Sequence, residues 1–160
     1  MLRARYLLAA SLLALACLFV PGARSQSTTA KGKAALKLQP VADTKLLMEG
    51  LANPNLEGLG KLFRDKPKDA EAWGFARGQA LILAETGNLL LLRPPRTSPG
   101  EEAWMQQSVS LREAGAKLAR AAAAKDYIQS RSALAGVANA CNRCHQTFRV
   151  PHRIDPFGVE

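Results

Sequence analysis

The sequence predicts an all-α protein folded as an antiparallel four-helix bundle, and three observations support that prediction. Alanine and leucine are abundant and only 6% of the residues are aromatic, a composition that favours helix over strand. Apolar residues recur at three- and four-residue steps in four segments joined by short connections. No stretch alternates apolar and polar residues as a half-buried strand would. Four amphipathic helices with short connections are typical of an antiparallel bundle.

Residues 1–25 are predicted to be a secretory signal peptide rather than part of the bundle. Arg3 and Arg5 precede an apolar run over residues 6–20, and a small-x-small cleavage site ends at Ser25. The apolar run is shorter than the roughly 20 residues that a membrane span needs, and no later segment qualifies. We therefore expect an exported, periplasmic protein with no membrane span in its mature chain.

Cys17 leaves an alternative open at the N-terminus. The four residues that end at Cys17 (ALAC) resemble a lipoprotein cleavage site, after which Cys17 would be a lipidated anchor. The usual aliphatic residue three positions before the cysteine is missing, and the apolar run continues beyond Cys17. The unanchored exported form is therefore the preferred interpretation.

The mature chain divides into a polar, basic leader at residues 26–39 and one helical domain at residues 40–160. The whole sequence has 22 Lys and Arg against 13 Asp and Glu, a formal charge of +9. Its basic residues are dispersed and have no interleaved aromatic residues, which argues against nucleic-acid binding. Such a surface suits docking to an acidic redox partner protein.

The first helix is predicted over residues 41–65 and the second over residues 68–92. Asp43 is the expected cap of the first helix. A break is expected at Asn53-Pro54, because proline lacks the amide hydrogen and clashes with the preceding turn. The expected core residues of these two helices, at helical spacing, are Leu47, Leu51, Leu59, Leu62 and Phe63, then Phe75, Ile82, Leu83, Leu89 and Leu90, with Trp73 beside them.

The third helix has the clearest predicted start, a capping box at residues 98–101 (SPGE) with proline at the first helical position. The fourth helix is predicted to start near Asp126, with Gln129 completing a second capping box, and to stop at Pro151. Residues 152–160 are predicted to form an extended tail. The expected inner face of the fourth helix carries Ile128, Leu134, Val137, Cys141, Cys144 and Phe148.

The motif that indicates a function is CNRCH, near the end of the fourth helix. On a helix, Cys141 and Cys144 lie one turn apart on one face, and His145 lies four residues from Cys141 on the same face. Each thiol can add to one vinyl group of a haem, and the adjacent imidazole can then reach the iron. C-x-x-C-H is the spacing of c-type haem attachment, and the only other cysteine, Cys17, lies in the predicted signal peptide.

Three other uses of these cysteines are possible: a zinc site, a redox pair and a structural disulfide. A zinc site needs four ligands, and the adjacent Cys144 and His145 point poorly at one tetrahedral ion, with only His152 left as a fourth ligand. A thioredoxin-like redox pair needs a βαβ context, which the sequence lacks. A structural disulfide between the two cysteines is the third alternative. Haem attachment is favoured over all three.

Residues 141–149 (CNRCHQTFR), at the end of the last helix, resemble the class II c-type cytochromes, the cytochrome c′ and low-spin c-556 group. In architecture the resemblance covers the whole bundle, but in sequence only the motif is specific. It implies one covalently bound haem c, with Cys141 and Cys144 as thioether links and His145 as the proximal iron ligand. It places Arg149 at the haem edge, unless Arg149 is simply a solvated cation. It also leaves a homodimer open, because the first two helices pair between subunits in that family.

The resemblance places the sixth iron ligand on the first helix, where Met48 is the candidate. In low-spin relatives this ligand is a methionine, and in high-spin relatives a non-ligating residue leaves the position open. Met48 could also be a packing residue, Met105 is the other methionine of the mature chain, and His152 is a weaker candidate. The sequence departs from the family at the basic residue expected four positions before the ligand, where Thr44 stands beside Lys45.

The sequence thus predicts a mono-haem exported cytochrome that carries electrons and is not an enzyme. A high-spin haemoprotein that binds NO or CO is the alternative, and the state of the sixth position decides between them. A peroxidase or another enzyme ranks third, because no acid–base constellation is visible. The polar residues Glu49, Glu85 and Asn88 are expected at the surface or between helices.

Overall fold

The computed structural model describes residues 38–96 and 100–158. Over these two ranges the regular structure is entirely helical, which confirms the predicted all-α class. None of the helices in these ranges has the length and apolarity required to cross a bilayer. The predicted signal peptide, Cys17, most of the leader, and Ser98 and Pro99 lie outside the described residues.

The helices are arranged as a four-helix bundle. A short helix α1, a π-helical turn and helix α2 follow one another without interruption, and together they are called the first bundle helix. Helix α3 packs against α4 and against the first bundle helix, and α4 packs against α5. The bounds are α1 Thr44–Leu47, the π-helical turn Met48–Ala52, α2 Asn53–Leu62, α3 Ala70–Leu91, α4 Glu101–Ala123 and α5 Tyr127–Thr147.

The expected break at Asn53-Pro54 is wrong, because the first bundle helix runs through the proline. The amide of Asn53 donates to the carbonyl oxygen of Met48, five residues back, which widens the helix just before Pro54. A wider turn displaces the carbonyl groups with which a proline ring would otherwise clash. The chain therefore stays helical through Pro54, and its side chains change register at this point.

Three helices begin at an aspartate cap, and helix α4 follows a glycine. The Oδ1 atoms of Asp43, Asp69 and Asp126 accept hydrogen bonds from backbone amides of the first turns of α1, α3 and α5. The capping box predicted for the third helix depends on Ser98 and Pro99, which lie outside the described residues. Helix α4 begins at Glu101, and Gly100 precedes it with a φ of 95°, a conformation that favours glycine.

The core lies where the apolar faces of the four bundle helices meet. Most of the expected core residues of the first helix are buried, and so is Trp73. The prediction fails at Phe75, Ile82 and Ile128, which are 58%, 36% and 70% exposed, because these residues lie on outer faces of α3 and α5. The largest apolar side chains that are fully buried are those of Phe63, Leu59, Leu83, Leu118, Leu134 and Val137.

Helices α3 and α4 approach each other closely at two glycines. A Cβ atom on Gly87 would lie 2.7 Å from the backbone nitrogen of Arg112, and one on Gly115 would lie 2.6 Å from that of Ala84. Side chains at either position would push the helices apart. These small residues let the backbones touch and fix the relative positions of α3 and α4.

The C-terminal segment is not the extended tail that the sequence predicted. After α5 ends, residues 150–158 fold back and contact both α5 and α2. Asn142 and Ile154 exchange two hydrogen bonds, and Ile154 and Phe157 pack against the core. The segment is mostly polar, so its sequence did not indicate that the apolar residues Ile154 and Phe157 contact the core.

Candidate functional site

A cavity of about 590 Å³ lies between the first bundle helix, α4 and the C-terminal part of α5. Its volume is in the range of ligand-binding pockets, and its walls are largely apolar, as in pockets that hold a flat organic cofactor. Its lining residues are Thr44, Lys45, Met48, Glu49, Asn53, Leu90, Trp104, Gln107, Leu111, Ala140, Cys141, Cys144, His145, Phe148, Val150 and His152.

Helix α5 brings the three motif residues to one wall of this cavity. Cys141, Cys144 and His145 all line it and lie in the last two turns of the helix, at the spacing used for the prediction. The two cysteines are not bonded to each other. Val137 lies one turn before Cys141 and Leu134 lies two turns before it. Both are fully buried in the core, so the helix holds the motif residues at this wall.

The two thiols are held in their neutral form at physiological pH. Burial, and secondarily the neighbouring Cys144, raises the pKa of Cys141 to about 11. Burial also raises the pKa of Cys144. A metal ligand or redox nucleophile must be a thiolate, and such thiols usually lie in surroundings that lower the pKa. Among the described residues, no three His, Cys, Asp or Glu side chains converge as metal ligands.

The imidazole of His145 has a defined tautomer. Its Nδ1 lies 2.7 Å from the backbone carbonyl oxygen of His152. A carbonyl oxygen can only accept a hydrogen bond, so Nδ1 carries the proton and donates it. In the neutral imidazole, Nε2 then carries the lone pair, as a metal-ligating nitrogen requires.

The first bundle helix supplies another wall of the cavity, with Met48 on it. The wider π-helical turn brings Met48 and Asn53, five residues apart, to the same cavity. Thr44 and Lys45 line the cavity too. Thr44 stands where the family resemblance predicts a basic residue, and Lys45 places a basic side chain one position further along. Because Met48 is partly buried and packs against the core, its thioether is held at this wall.

Two of the predicted residues do not line the cavity. Met105, the other methionine considered for the iron, is 47% exposed on α4. Arg149 is exposed and ends α5, with a φ of 56°. Its observed position is that of a helix-end residue, and no contact with the cavity is seen.

Sequence reasoning did not assign Trp104, Gln107 or Phe148 to the site, and Trp104 is the most buried of the three. The Nε1 of Trp104 donates to the carbonyl oxygen of Leu90 at 2.7 Å. Its ring meets the ring of Phe148 edge to face, with 5.1 Å between the ring centroids. Phe148 had been assigned to the inner face of α5 but not to the site. His152, which the sequence offers as a weaker candidate for an iron ligand, lines the cavity as well.

Gln107 is an independent sign that the cavity holds a ligand with a polar group. Its Oε1 is buried and has no hydrogen-bonding partner among the described residues. A buried amide without a partner costs about 1–3 kcal/mol, so such groups normally find one. The two carboxylates of a haem would offer acceptors to the amide group, since its oxygen and nitrogen are interchangeable by a flip.

Comparison with known proteins supports the same assignment. Residues 100–149 match the family model described as Cytochrome C′. This range covers α4 and α5 and includes the whole CNRCH motif, so the resemblance to the class II c-type cytochromes is confirmed there. No curated protein and no solved structure gives a match to the chain.

Proposed function

We propose that this chain, whose residues 100–149 match the Cytochrome C′ family model, is an exported c-type cytochrome that holds one haem covalently and transfers electrons. One observation supports this proposal above all others. Two neutral thiols and a tautomer-fixed imidazole, all from the end of α5, line the same apolar cavity of about 590 Å³. This combination suits haem c and suits zinc or disulfide exchange poorly.

The residues present fit the cofactor as follows. Cys141 and Cys144 would each add S–H across one vinyl double bond of the haem, with sulfur bonding to one carbon and hydrogen to the other. This addition needs no oxidant, and it consumes thiols that burial keeps protonated. His145 offers Nε2 to the iron while His152 holds the other ring nitrogen. When bound, the haem supplies an iron that alternates between the ferric and ferrous states.

Electron transfer is favoured over gas binding by the position of Met48. Its thioether lines the cavity from the first bundle helix, whereas His145 lines it from α5. A methionine ligand raises the reduction potential and lets both oxidation states keep the same coordination. Electron transfer then needs little reorganisation of the protein. The apolar walls of the cavity include the buried Trp104 and Leu111. Such walls exclude water and further favour ferrous over ferric iron, because the ferrous haem centre carries less positive charge.

The partner of such a carrier would be a redox protein with an acidic docking surface. Arg143 and Arg149, on either side of the histidine ligand, are both exposed, and so is Lys45 at the cavity wall. Cations around an electron-transfer site accelerate association with an acidic surface, and salt weakens that effect. We infer a non-enzymatic role, in the periplasm, in agreement with the predicted signal peptide.

The test is the absorption spectrum of protein produced together with a haem-ligation system. Oxidised and reduced spectra are recorded from the visible to the near infrared, with and without carbon monoxide. An electron carrier with Met48 as ligand shows a ferric thioether charge-transfer band and no response to carbon monoxide. A high-spin spectrum that shifts with carbon monoxide would replace electron transfer with gas binding as the function. Protein that acquires no haem would refute the whole proposal.

A further inference from the structure

The C-terminal segment beyond α5 lies outside the family match, which ends at residue 149, and it contacts the candidate iron ligand. Its direction is set at the end of α5. Arg149 adopts a left-handed conformation, the amide of Val150 donates to the carbonyl oxygen of His145 at 2.8 Å, and that of Arg149 donates to Gln146 at 3.3 Å. This pattern is a Schellman motif, which reverses the chain at a helix end.

The reversed segment is fastened to α5 by Asn142. The Nδ2 of Asn142 donates to the carbonyl oxygen of Ile154, and its Oδ1 accepts from the amide of Ile154, both at 2.8 Å. A side-chain amide that bonds both backbone groups of one residue fixes the position and the orientation of that residue. Asn142 lies three residues before His145, so the fastening lies close to the imidazole.

Two further contacts hold the segment at its far end. The guanidinium of Arg131 lies over the ring of Phe157, 4.1 Å from the ring centroid. The carbonyl of Pro156 lies against Gly60 of α2, where a Cβ atom would collide with its oxygen. The segment therefore spans from α5 to the first bundle helix and is anchored at both helices.

Between these anchors and the end of α5, the segment presents the carbonyl oxygen of His152 to Nδ1 of His145, at 2.7 Å. A backbone carbonyl in this position does two things to an imidazole. It fixes the ring orientation and the tautomer, and it makes Nε2 a stronger electron donor. Both effects act on the nitrogen that the proposed function assigns to the iron.

We propose that residues 150–158 form a strap whose task is to position His145 as the proximal ligand and to raise the donor strength of its Nε2. Asn142 is the positioning residue that holds the strap in place. This inference rests on the proposed function, since it takes His145 as a ligand of the haem iron. A stronger donor stabilises ferric iron, so the strap lowers the reduction potential.

The experiment compares four forms of the haem-loaded protein: wild type, a chain that stops after Val150, Asn142→Ala, and Asn142→Asp. The aspartate keeps the acceptor for the amide of Ile154 and loses the donor to its carbonyl oxygen. Asn88→Ala is the matched control, because Asn88 is another half-buried helical asparagine with side-chain hydrogen bonds, to Glu85 and Arg112, away from the strap.

Three readouts are taken: the reduction potential, the proton signal of His145 Nδ1 in the reduced protein, and hydrogen exchange at the amide of Ile154. Carbon monoxide is added for the second readout if the reduced iron is high-spin. We expect truncation to shift the ferric–ferrous equilibrium about tenfold toward the ferrous form, which is about 59 mV for one electron. Asn142→Ala shifts it in the same direction and exposes Ile154 to exchange. Asn142→Asp lies between Asn142→Ala and wild type, and Asn88→Ala matches wild type.

The outcomes separate this inference from the proposed function. If the wild-type chain never acquires haem, the proposed function is wrong and the strap has no ligand to position. If all forms acquire haem but the truncated chain keeps the wild-type potential and Nδ1 signal, the strap inference is wrong and the function stands. If the potential moves while the Nδ1 signal stays unchanged, the strap acts on stability or solvent access, and the positioning role is also refuted.

Discussion

Two walls of the same cavity differ in how firmly the fold holds them. The α5 wall belongs to a helix of 21 residues that starts at the Asp126 cap and ends in a Schellman motif. The wall of the first bundle helix is built from a helix of four residues and a π-helical turn. Lys45 and Glu49 on this wall form an exposed ion pair, 3.7 Å apart, which contributes little to stability.

The difference indicates which part of the site has a fixed chemistry. Under the proposed function, attachment and proximal ligation need exact spacing, and the α5 wall offers it from a well-packed helix within the family match. The choice between a closed and an open sixth position needs only one side chain. The π-helical turn re-aims the residues around that side chain, as such turns do at functional sites. Under the proposed function, the first bundle helix is therefore the part of the site that decides whether the sixth position is closed or open.

The largest effect is expected from removing both thiols of the α5 wall. Cys141→Ala combined with Cys144→Ala leaves no sulfur at the cavity except that of Met48, so covalent attachment is lost entirely. Mass spectrometry and haem staining of denatured protein measure the attachment. Each single variant keeps one thioether link at most and serves as the graded control. Haem that stays attached in the double variant would contradict the assignment of these two cysteines.

The next largest effect concerns Trp104 of α4, which contacts Leu90 of α3 and Phe148 at the end of α5. Trp104→Ala removes a buried ring and its hydrogen bond to Leu90, and we expect a loss of about 3–5 kcal/mol in the free energy of unfolding. Trp104→Phe keeps an aromatic ring against Phe148 and loses one hydrogen bond, and we expect a loss of only about 1 kcal/mol, because the Leu90 carbonyl still accepts from the amide of Arg93 at 2.8 Å. Urea unfolding of the haem-loaded proteins gives both values. Equal losses would mean that the ring packing contributes nothing.

The third prediction tests the other wall. Met48→Leu keeps the volume and removes the thioether, so we expect the charge-transfer band to disappear and carbon monoxide to bind, with little loss of stability. Met105→Leu is the matched control, because Met105 is 47% exposed and does not line the cavity. Absorption spectra of both variants decide the matter. An unchanged spectrum in Met48→Leu would remove the main support for electron transfer.

The part of the fold and site that the sequence could predict is the part governed by local chemistry. The helix periods, the Asp43 and Asp126 caps and the CNRCH spacing all depend on residues within a turn or two of each other. The structure brings Cys141, Cys144, His145 and Met48 to one cavity, as the interpretation required.

The remainder depends on contacts between residues distant in sequence. The side chain of Trp104 is held at the cavity by a hydrogen bond from its indole nitrogen to the carbonyl oxygen of Leu90, which belongs to another helix. The strap could not be predicted because its anchors, Asn142 and Gly60, are recognisable only when Ile154 and Pro156 lie beside them. The prediction of a break at Pro54 is wrong because a one-residue change of helix register costs less free energy than ending a helix whose next turns are buried. Phe75 was misplaced because helical period alone does not say which face turns inward.

The smallest predicted effect compares the starts of the two walls directly. Asp43 and Asp126 make the same cap hydrogen bond, at 2.8 and 3.0 Å, so their removal subtracts the same local interaction. Asp126→Ala should lower the global free energy of unfolding by about 1 kcal/mol, because α5 is part of the cooperative core. Asp43→Ala should cost less globally, since α1 and the π-helical turn can open while the bundle stays folded.

Denaturant unfolding measures the global term, and hydrogen exchange over residues 44–52 measures the local one. Asp69→Ala is the control, because Asp69 caps the long helix α3 with a 2.8 Å hydrogen bond away from the cavity and should behave like Asp126→Ala. Faster exchange at residues 44–52 in Asp43→Ala, with a nearly unchanged unfolding midpoint, would establish the first-helix wall as a separately opening unit. An equal global loss for all three variants would show that the two walls unfold together, and the contrast between a fixed and an adjustable wall would then be wrong.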